Sequence, residues 1–198
     1  MSLNREQKSL RLFSAISLLP SWVSVLRETQ RQLAARMPHG VRWTPPGSFH
    51  ATVRFIGNLP TAQAEELVQA WRTFELPEKL PVLSLTTCGC FPPTGPERIL
   101  WAGAEAISGS WLGLVGCIDV ALSNFGLALA LEEPVVHITI GRVSQPGAVR
   151  GARDLLSSVV LRAEPLPVES VGLFISAPTP TGSRYVQVAS TGRPHQKV

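Results

Sequence analysis

One short pattern occurs twice in this chain and constrains everything around it. FHATVRFIG runs from Phe49 to Gly57, and VVHITIGRV runs from Val135 to Val143. Each sets a His-x-Thr inside an apolar, β-branched run: His50 with Thr52, and His137 with Thr139. β-Branched residues suit a pleated strand, and successive strand side chains point to opposite faces. His50, Thr52 and Arg54 are therefore expected on one face of the first strand, with Ala51, Val53 and Phe55 on the other. In the second, His137 and Thr139 share a face opposite Val136, Ile138 and Ile140. Nearly half of the 198-residue chain separates the two histidines. One strand design used twice predicts two similar lobes. If the motif strands lie side by side, two imidazoles and two hydroxyls meet in one cleft.

Two imidazoles suit a reaction in which one proton is taken and another given, because histidine titrates near neutrality. Threonine hydroxyls with nearby arginines suit an oxyanion such as phosphate. On the residues alone, two unrelated buried histidines explain the repeat as well as a shared site does.

The remaining composition narrows the classes. Hydrophobic residues make up 44% of the chain, enough for a core, and a length of 198 residues allows one domain or two small lobes. The 17 prolines and 16 glycines are spread along the chain, which predicts many turns rather than wholesale disorder. A formal charge of +4 gives a mild preference for anionic partners. It falls well short of a protein that coats DNA. Three cysteines (Cys88, Cys90 and Cys117) are too few and too odd for a disulfide framework and point to a reducing cytoplasm. Cys88-Gly89-Cys90 suggests a metal, but no second Cys or His pair stands at zinc spacing. The basic and apolar N-terminal stretch resembles a leader, yet Pro20, Trp22 and several serines interrupt it. No apolar run is long enough to span a membrane.

Read in order, residues 1–10 are a loose N-terminus. Arg11–Ser17 is a strand, followed by a helix from a Ser21 N-cap to about Met37. Trp22, Val25, Leu26 and Leu33 form its apolar stripe. His39 reads as a cap for its C-terminal end. Val41–Thr44 is a short extended piece before the first His-x-Thr strand, and a helix to about Phe74 follows. Leu80–Thr87 and Arg98–Gly103 form a hairpin around Pro92–Pro96. Ser110–Phe125 is a third helix, and Pro134 opens the second His-x-Thr strand. A helix over Ala148–Val160 and strands over Leu166–Ser176 and Arg184–Ala189 complete the chain. The tail from residue 192 is polar, with His195 solvated. The expected order is β-α-β-β-α-β-β-α-β-α-β-β. This is an α+β fold of two lobes with pseudo-two-fold antiparallel sheets, helices on the outer faces and a central cleft. Residues 11–191 make a single bilobal domain.

These segments resemble the RNA 2′,3′-cyclic phosphodiesterases, also called 2′-5′ RNA ligases, of the two-histidine phosphoesterase superfamily. The resemblance spans about Arg11 to Val188. It rests on Arg11-Leu12-Phe13 with Ala15-Ile16, on Arg42-Trp43 followed by FHATVRFIGNLP, and on Ile99-Leu100-Trp101-Ala102-Gly103. VVHITIGRV and Arg184-Tyr185 complete it. The family often has an acidic residue at Ser17, leucine at Ala51 and at Val53, and His-Pro where Val135-Val136 stands. These departures bear on substrate preference more than on chemistry.

The resemblance implies hydrolysis of an RNA 2′,3′-cyclic phosphate to a 2′-phosphate, without metal or other cofactor. It assigns His50 as proton donor and His137 as proton acceptor, with Thr52 and Thr139 donating to the phosphate oxygens. Arg142 is the preferred charged contact. Strict alternation puts it opposite His137, but Gly141 can bulge the strand and turn it back. Arg54 serves either the phosphate or an ordinary salt bridge. Trp43, Phe55 and Tyr185 are candidates to stack on a base. Phe55, on the apolar face, reads better as core. ATP-independent 2′-5′ ligation at the same site is also implied. The expected partner is RNA with a cyclic phosphate end, such as a tRNA fragment, and the protein is expected to be a cytoplasmic monomer. Other cyclic or 2′-5′ nucleotide substrates, and a non-catalytic RNA-binding module, are the competing readings.

Overall fold

The computed structural model describes residues 9–127, 135–145, 149, 151–179 and 182–192. The first elements are β1 (Ser9–Ser17), α1 (Pro20–Arg36), β2 (Val41–Trp43) and β3 (His50–Pro60). Helix α2 (Thr61–Thr73) leads to the hairpin of β4 (Val82–Phe91) and β5 (Ile99–Ser108), and then to α3 (Trp111–Ser123). Strand β6 (His137–Val143), helix α4 (Ala152–Ser157) and strands β7 (Leu166–Pro167), β8 (Ser170–Thr179) and β9 (Gly182–Gly192) follow.

The strands form one antiparallel sheet, in the order β7-β4-β5-β6-β3-β1-β8-β9, with β2 paired to β6. The two motif strands, β3 and β6, lie side by side at its centre, with four strands of this path on either side of their junction. This is the form the expected two-fold takes. The two lobes are halves of one sheet, and the C-terminal β8 and β9 join the first half. The halves meet through a single register pair, Ala51 with Ile138.

The helices bury their apolar stripes against one face of the sheet. Trp22, Leu26 and Leu33 of α1 join the same core as Leu67 and Trp71 of α2 and Leu114, Ile118 and Leu122 of α3. Each apolar side chain removed from water this way is worth about 1.5–3 kcal/mol. The two fully buried indoles keep their N–H groups satisfied: Trp22 donates to Glu164 O at 2.8 Å and Trp71 to Val171 O at 2.9 Å. Ala51, Val53, Ile138 and Ile140 supply the sheet's side of this core.

Several boundaries differ from the sequence reading. Pro20 occupies the first turn of α1, so Leu19 precedes the helix without a side-chain cap. Ser21 instead donates to Glu164 Oε1 at 2.7 Å. Met37, not His39, closes that helix, its N–H bonded to Leu33 O. Ser110 does cap α3, accepting from Gly113 N at 2.9 Å. Both strands of the β4–β5 hairpin begin a residue or two later than expected and run four or five residues further, to Phe91 and Ser108. The strand expected over Leu166–Ser176 is two: β7 at one edge of the sheet, and β8 in the other half, between β1 and β9. Residues 1–8 and 193–198, including His195, lie outside the described residues, as do Pro134, Ala148 and Arg150. No helix among the described residues is long and apolar enough to cross a membrane.

Candidate active site

Both motif strands bulge at the same offset from their histidine. Against β1, Ala15 pairs with Thr52 and Ser14 with Arg54, which leaves Val53 as an extra residue. Against β5, Trp101 pairs with Thr139 and Leu100 with Gly141, which leaves Ile140 extra. A bulge places two successive side chains on one side and reverses the alternation beyond it. The third and fourth residues after each histidine therefore face the helices, and the fifth faces the open side.

This corrects the strict alternation expected in the first strand. Arg54 does not share the His50 face. Its Nε and Nη2 both lie 2.7 Å from the Asp119 carboxylate on α3. Phe55 is not core either: it is 63% exposed, and its ring lies 6.2 Å from that of Phe13 on the open side. In the second strand the expected bulge is present, and Arg142 comes to the open side. A Cβ on Gly141 would stand 2.9 Å from Val41 Cγ1 and 3.2 Å from Trp43 Cε3, so only glycine lets β2 lie this close. Arg142 and Phe55 are thus equivalent positions of the two copies.

The histidines are held alike. His50 Nδ1 lies 2.8 Å from the carbonyl of Ser48, two residues back. His137 Nδ1 lies 3.0 Å from the carbonyl of Val135, also two residues back. A carbonyl oxygen only accepts, so Nδ1 carries the hydrogen in both rings. Nε2 is then the nitrogen that holds the lone pair when the ring is neutral. Carrying the Ala51–Ile138 register one residue either way sets His50 across from Thr139 and Thr52 across from His137.

The surroundings of the two rings differ. His50 sits among aromatics, with centroid distances of 4.9 Å to Phe13 and 4.9 Å to Tyr185. His137 meets the edge of Phe91 at 5.1 Å. Burial pushes the His50 pKa below its ordinary value. The Ser48 carbonyl opposes this, while the nearby positive charges of His137 and Arg142 lower it further. The same interaction shows that His50, His137 and Arg142 share one electrostatic neighbourhood.

A cleft of about 190 Å³ opens beside His50, lined by Arg42, Trp43, Ser48, Arg142, Thr179 and Tyr185, among others. Of the side chains singled out in the sequence, the fold brings together His50, His137, Thr52, Thr139, Arg142 and Tyr185, whereas Trp43 pairs with Gly141 and packs its ring against the core. The fold does not bring Arg54 to the site. Cys88 and Cys90 are buried in the core. Burial pushes the Cys88 thiol up to about 12, which keeps it protonated and a poor metal ligand.

Little in the sequence marks the supporting residues. Phe174, which stacks on Phe13 with centroids 5.3 Å apart, is set by cross-strand register. Ser14 is fully buried, and its Oγ accepts from Arg54 N at 3.1 Å within the first bulge. Gln30 reaches the second bulge from α1. A buried polar residue on an otherwise apolar helix stripe is the one signal that marks Gln30 in the sequence.

Comparison with known proteins agrees with this geometry. Residues 20–101 match the family described as LigT like Phosphoesterase. An RNA 2′,3′-cyclic phosphodiesterase of Aeropyrum pernix is 27% identical over 158 residues, covering 74% of this chain and 85% of its own. A solved protein of Thermus thermophilus has a TM-score of 0.77 at 24% identity, over 92% of this chain and 97% of that one. Escherichia coli LigT, solved with 3′-AMP, has a TM-score of 0.67 at 20% identity, over 92% of this chain and 97% of its own. The fold is that of the LigT-like phosphoesterases.

Proposed function

We propose, with the chain taken as a LigT-like phosphoesterase, that it hydrolyses the 2′,3′-cyclic phosphate at an RNA end and leaves a 2′-phosphate. The matched Nδ1–carbonyl bonds of His50 and His137 carry this reading. They fix the same tautomer in two imidazoles on adjacent strands, which leaves two Nε2 atoms for one proton taken and one given.

In the forward reaction His137 Nε2 takes a proton from water. The water oxygen bonds to phosphorus, the P–O3′ bond breaks, and His50 Nε2–H delivers its proton to O3′. The products are a 2′-phosphate and a 3′-hydroxyl. His50 is left neutral and His137 protonated, and exchange with solvent restores both. A depressed pKa makes His50 the readier donor. The anionic phosphate supplies the countercharge that lets it hold a proton once substrate is bound. Thr52 and Thr139 donate to the non-bridging oxygens, where removing a donor aimed at developing charge costs about 2.7–4 kcal/mol. Arg142 adds a charged contact. Tyr185, and Phe55 on the open face, offer surfaces to the terminal base. Arg54, held by Asp119, takes no part. With a 5′-hydroxyl in place of water the same steps give a 2′-5′ linkage without ATP.

The test is to incubate the protein, in EDTA, with a short RNA ending in a 2′,3′-cyclic phosphate and to identify the product. A 2′-phosphate that is absent with both His50→Ala and His137→Ala supports the reading. No turnover by folded wild-type protein sinks it, and other cyclic nucleotides would be tried next.

A further inference from the structure

We infer that the Arg42–Arg142 pocket binds a second phosphate of the substrate, the one on the 5′ side of the nucleotide that carries the reacting phosphate. This deepens the hydrolase reading above and rests on it. Arg42 and Arg142 are directly paired across β2 and β6. Opposed residues of an antiparallel pair project from the same face, and like charges there are destabilising. Among the described residues no carboxylate lines the pocket, and neither guanidinium is in a salt bridge. Two adjacent, uncompensated cations are a cost that a bound anion would remove.

The pocket is continuous with the histidine site. Ser48 lines it while its carbonyl accepts from His50 Nδ1. Tyr185 lines it while its ring stands 4.9 Å from the His50 ring. Arg142 lines it and also lowers the His50 pKa. Arg142 therefore reaches toward the reacting phosphate, and Arg42 stands one strand further out, on β2. The adjacency of the two subsites suits a ligand that carries both phosphates on one nucleotide unit. A nucleotide at an RNA end does so, with one phosphate at O2′/O3′ and one at O5′. Ser48, Thr179 and Ser183 bring further hydroxyls to the same wall. A lone cyclic mononucleotide without a 5′-phosphate leaves Arg42 unused.

The experiment compares the affinities of adenosine 2′-phosphate and adenosine 2′,5′-bisphosphate by calorimetry at low salt. It uses wild-type protein, Arg42→Ala, and Arg72→Ala as a control for net charge. The expected result is that wild type and Arg72→Ala prefer the bisphosphate roughly tenfold or more, and that Arg42→Ala loses the preference. In turnover, the preference for 5′-phosphorylated over unphosphorylated adenosine 2′,3′-cyclic phosphate shrinks in Arg42→Ala through KM, with kcat unmoved. A dinucleotide with a cyclic end shows whether a diester serves as well as a free 5′-phosphate. Equal affinity for both ligands in wild type, or equal losses in Arg42→Ala and Arg72→Ala, overturns the inference. Cyclic phosphate turnover with equal affinities overturns the pocket alone. Bisphosphate preference without turnover of any cyclic phosphate overturns the hydrolase reading alone.

Discussion

The carbonyl of Ile140, at the bulge of β6, accepts a hydrogen bond of 2.6 Å from the buried amide of Gln30 on α1. The same Nε2 donates to Thr44 O at 2.8 Å. One side chain therefore ties the end of β2 to the bulge that turns Arg142 toward His50. Both hydrogen bonds go to backbone, so Gln30 would act on the site by positioning β2 and the bulge.

Gln30→Leu leaves buried carbonyls with fewer donors, at a cost of about 1–3 kcal/mol. Thermal or urea unfolding measures this loss. A purely structural role would end there. Positioning predicts more: as Arg142 is released, the His50 pKa moves up, and KM for a phosphorylated substrate rises. Chemical-shift titration of His50 in the variant, beside wild type, tests the second half.

Replacing either histidine by alanine is expected to lower kcat by about 10²- to 10⁴-fold. On the proposed mechanism, in which the two act in one proton relay, the double variant should lose little more than the worse single one. Additive losses in the double variant would mean that the imidazoles work independently. Circular dichroism confirms that the variants are folded.

The proton equilibrium of His50 gives a signed prediction. Burial first, then the charges of His137 and Arg142, hold its pKa below 6.5. Removing a positive neighbour makes the imidazolium easier to form, so His137→Ala should raise the value while burial still keeps it below 6.5. Stability carries the same sign. Between the folded and unfolded pKa values the unfolded chain binds more protons, so stability drops as pH falls through that window. His50→Gln should flatten this part of a pH–melting curve. A His50 resonance that titrates at or above 6.5 in wild type would contradict the burial argument.

Arg54 and Asp119 join the central strand β3 to α3 through two 2.7 Å contacts, with side chains only 15% and 30% exposed. Arg54→Met strands a half-buried carboxylate and should cost about 1–3 kcal/mol of stability. Because the guanidinium is on the helix side of the bulge, KM for RNA should change little. A large rise in KM without loss of stability would restore Arg54 to the substrate side.

How far the sequence reaches is clearest around these bulges. His50, His137 and the threonines were legible because alternation holds for the first residues of each strand. The apolar stripes of the helices were legible because burial repeats every third or fourth residue. Alternation fails after the extra residue. Gly141 marks that failure and so points to Arg142, whereas Val53-Arg54 has no glycine, so alternation alone puts Arg54 and Phe55 on the wrong sides. Cross-strand neighbours such as Phe13 and Phe174 depend on register between distant segments, which no local pattern encodes. The split of β7 from β8 escapes for the same reason, since β7 pairs with β4 and β8 with β1 and β9, in opposite halves of the sheet.

Phe55 offers the test of that reversed alternation. A phenylalanine in the core would cost about 3–5 kcal/mol when cut to alanine. Phe55 is 63% exposed, so Phe55→Ala should leave the melting temperature nearly unchanged. It continues a row of rings across β3, β1 and β8, with Phe13 paired to Phe55 on one side and to Phe174 on the other. An exposed ring beside Phe13, itself 4.9 Å from His50, is placed to stack on an unpaired base. Stacking of this kind is worth about 1–3 kcal/mol per base. Phe55→Ala should therefore raise KM for a short RNA substrate while kcat at saturation is preserved. Loss of stability without a change in KM would return Phe55 to a packing role and remove the bulge as the reason for its exposure.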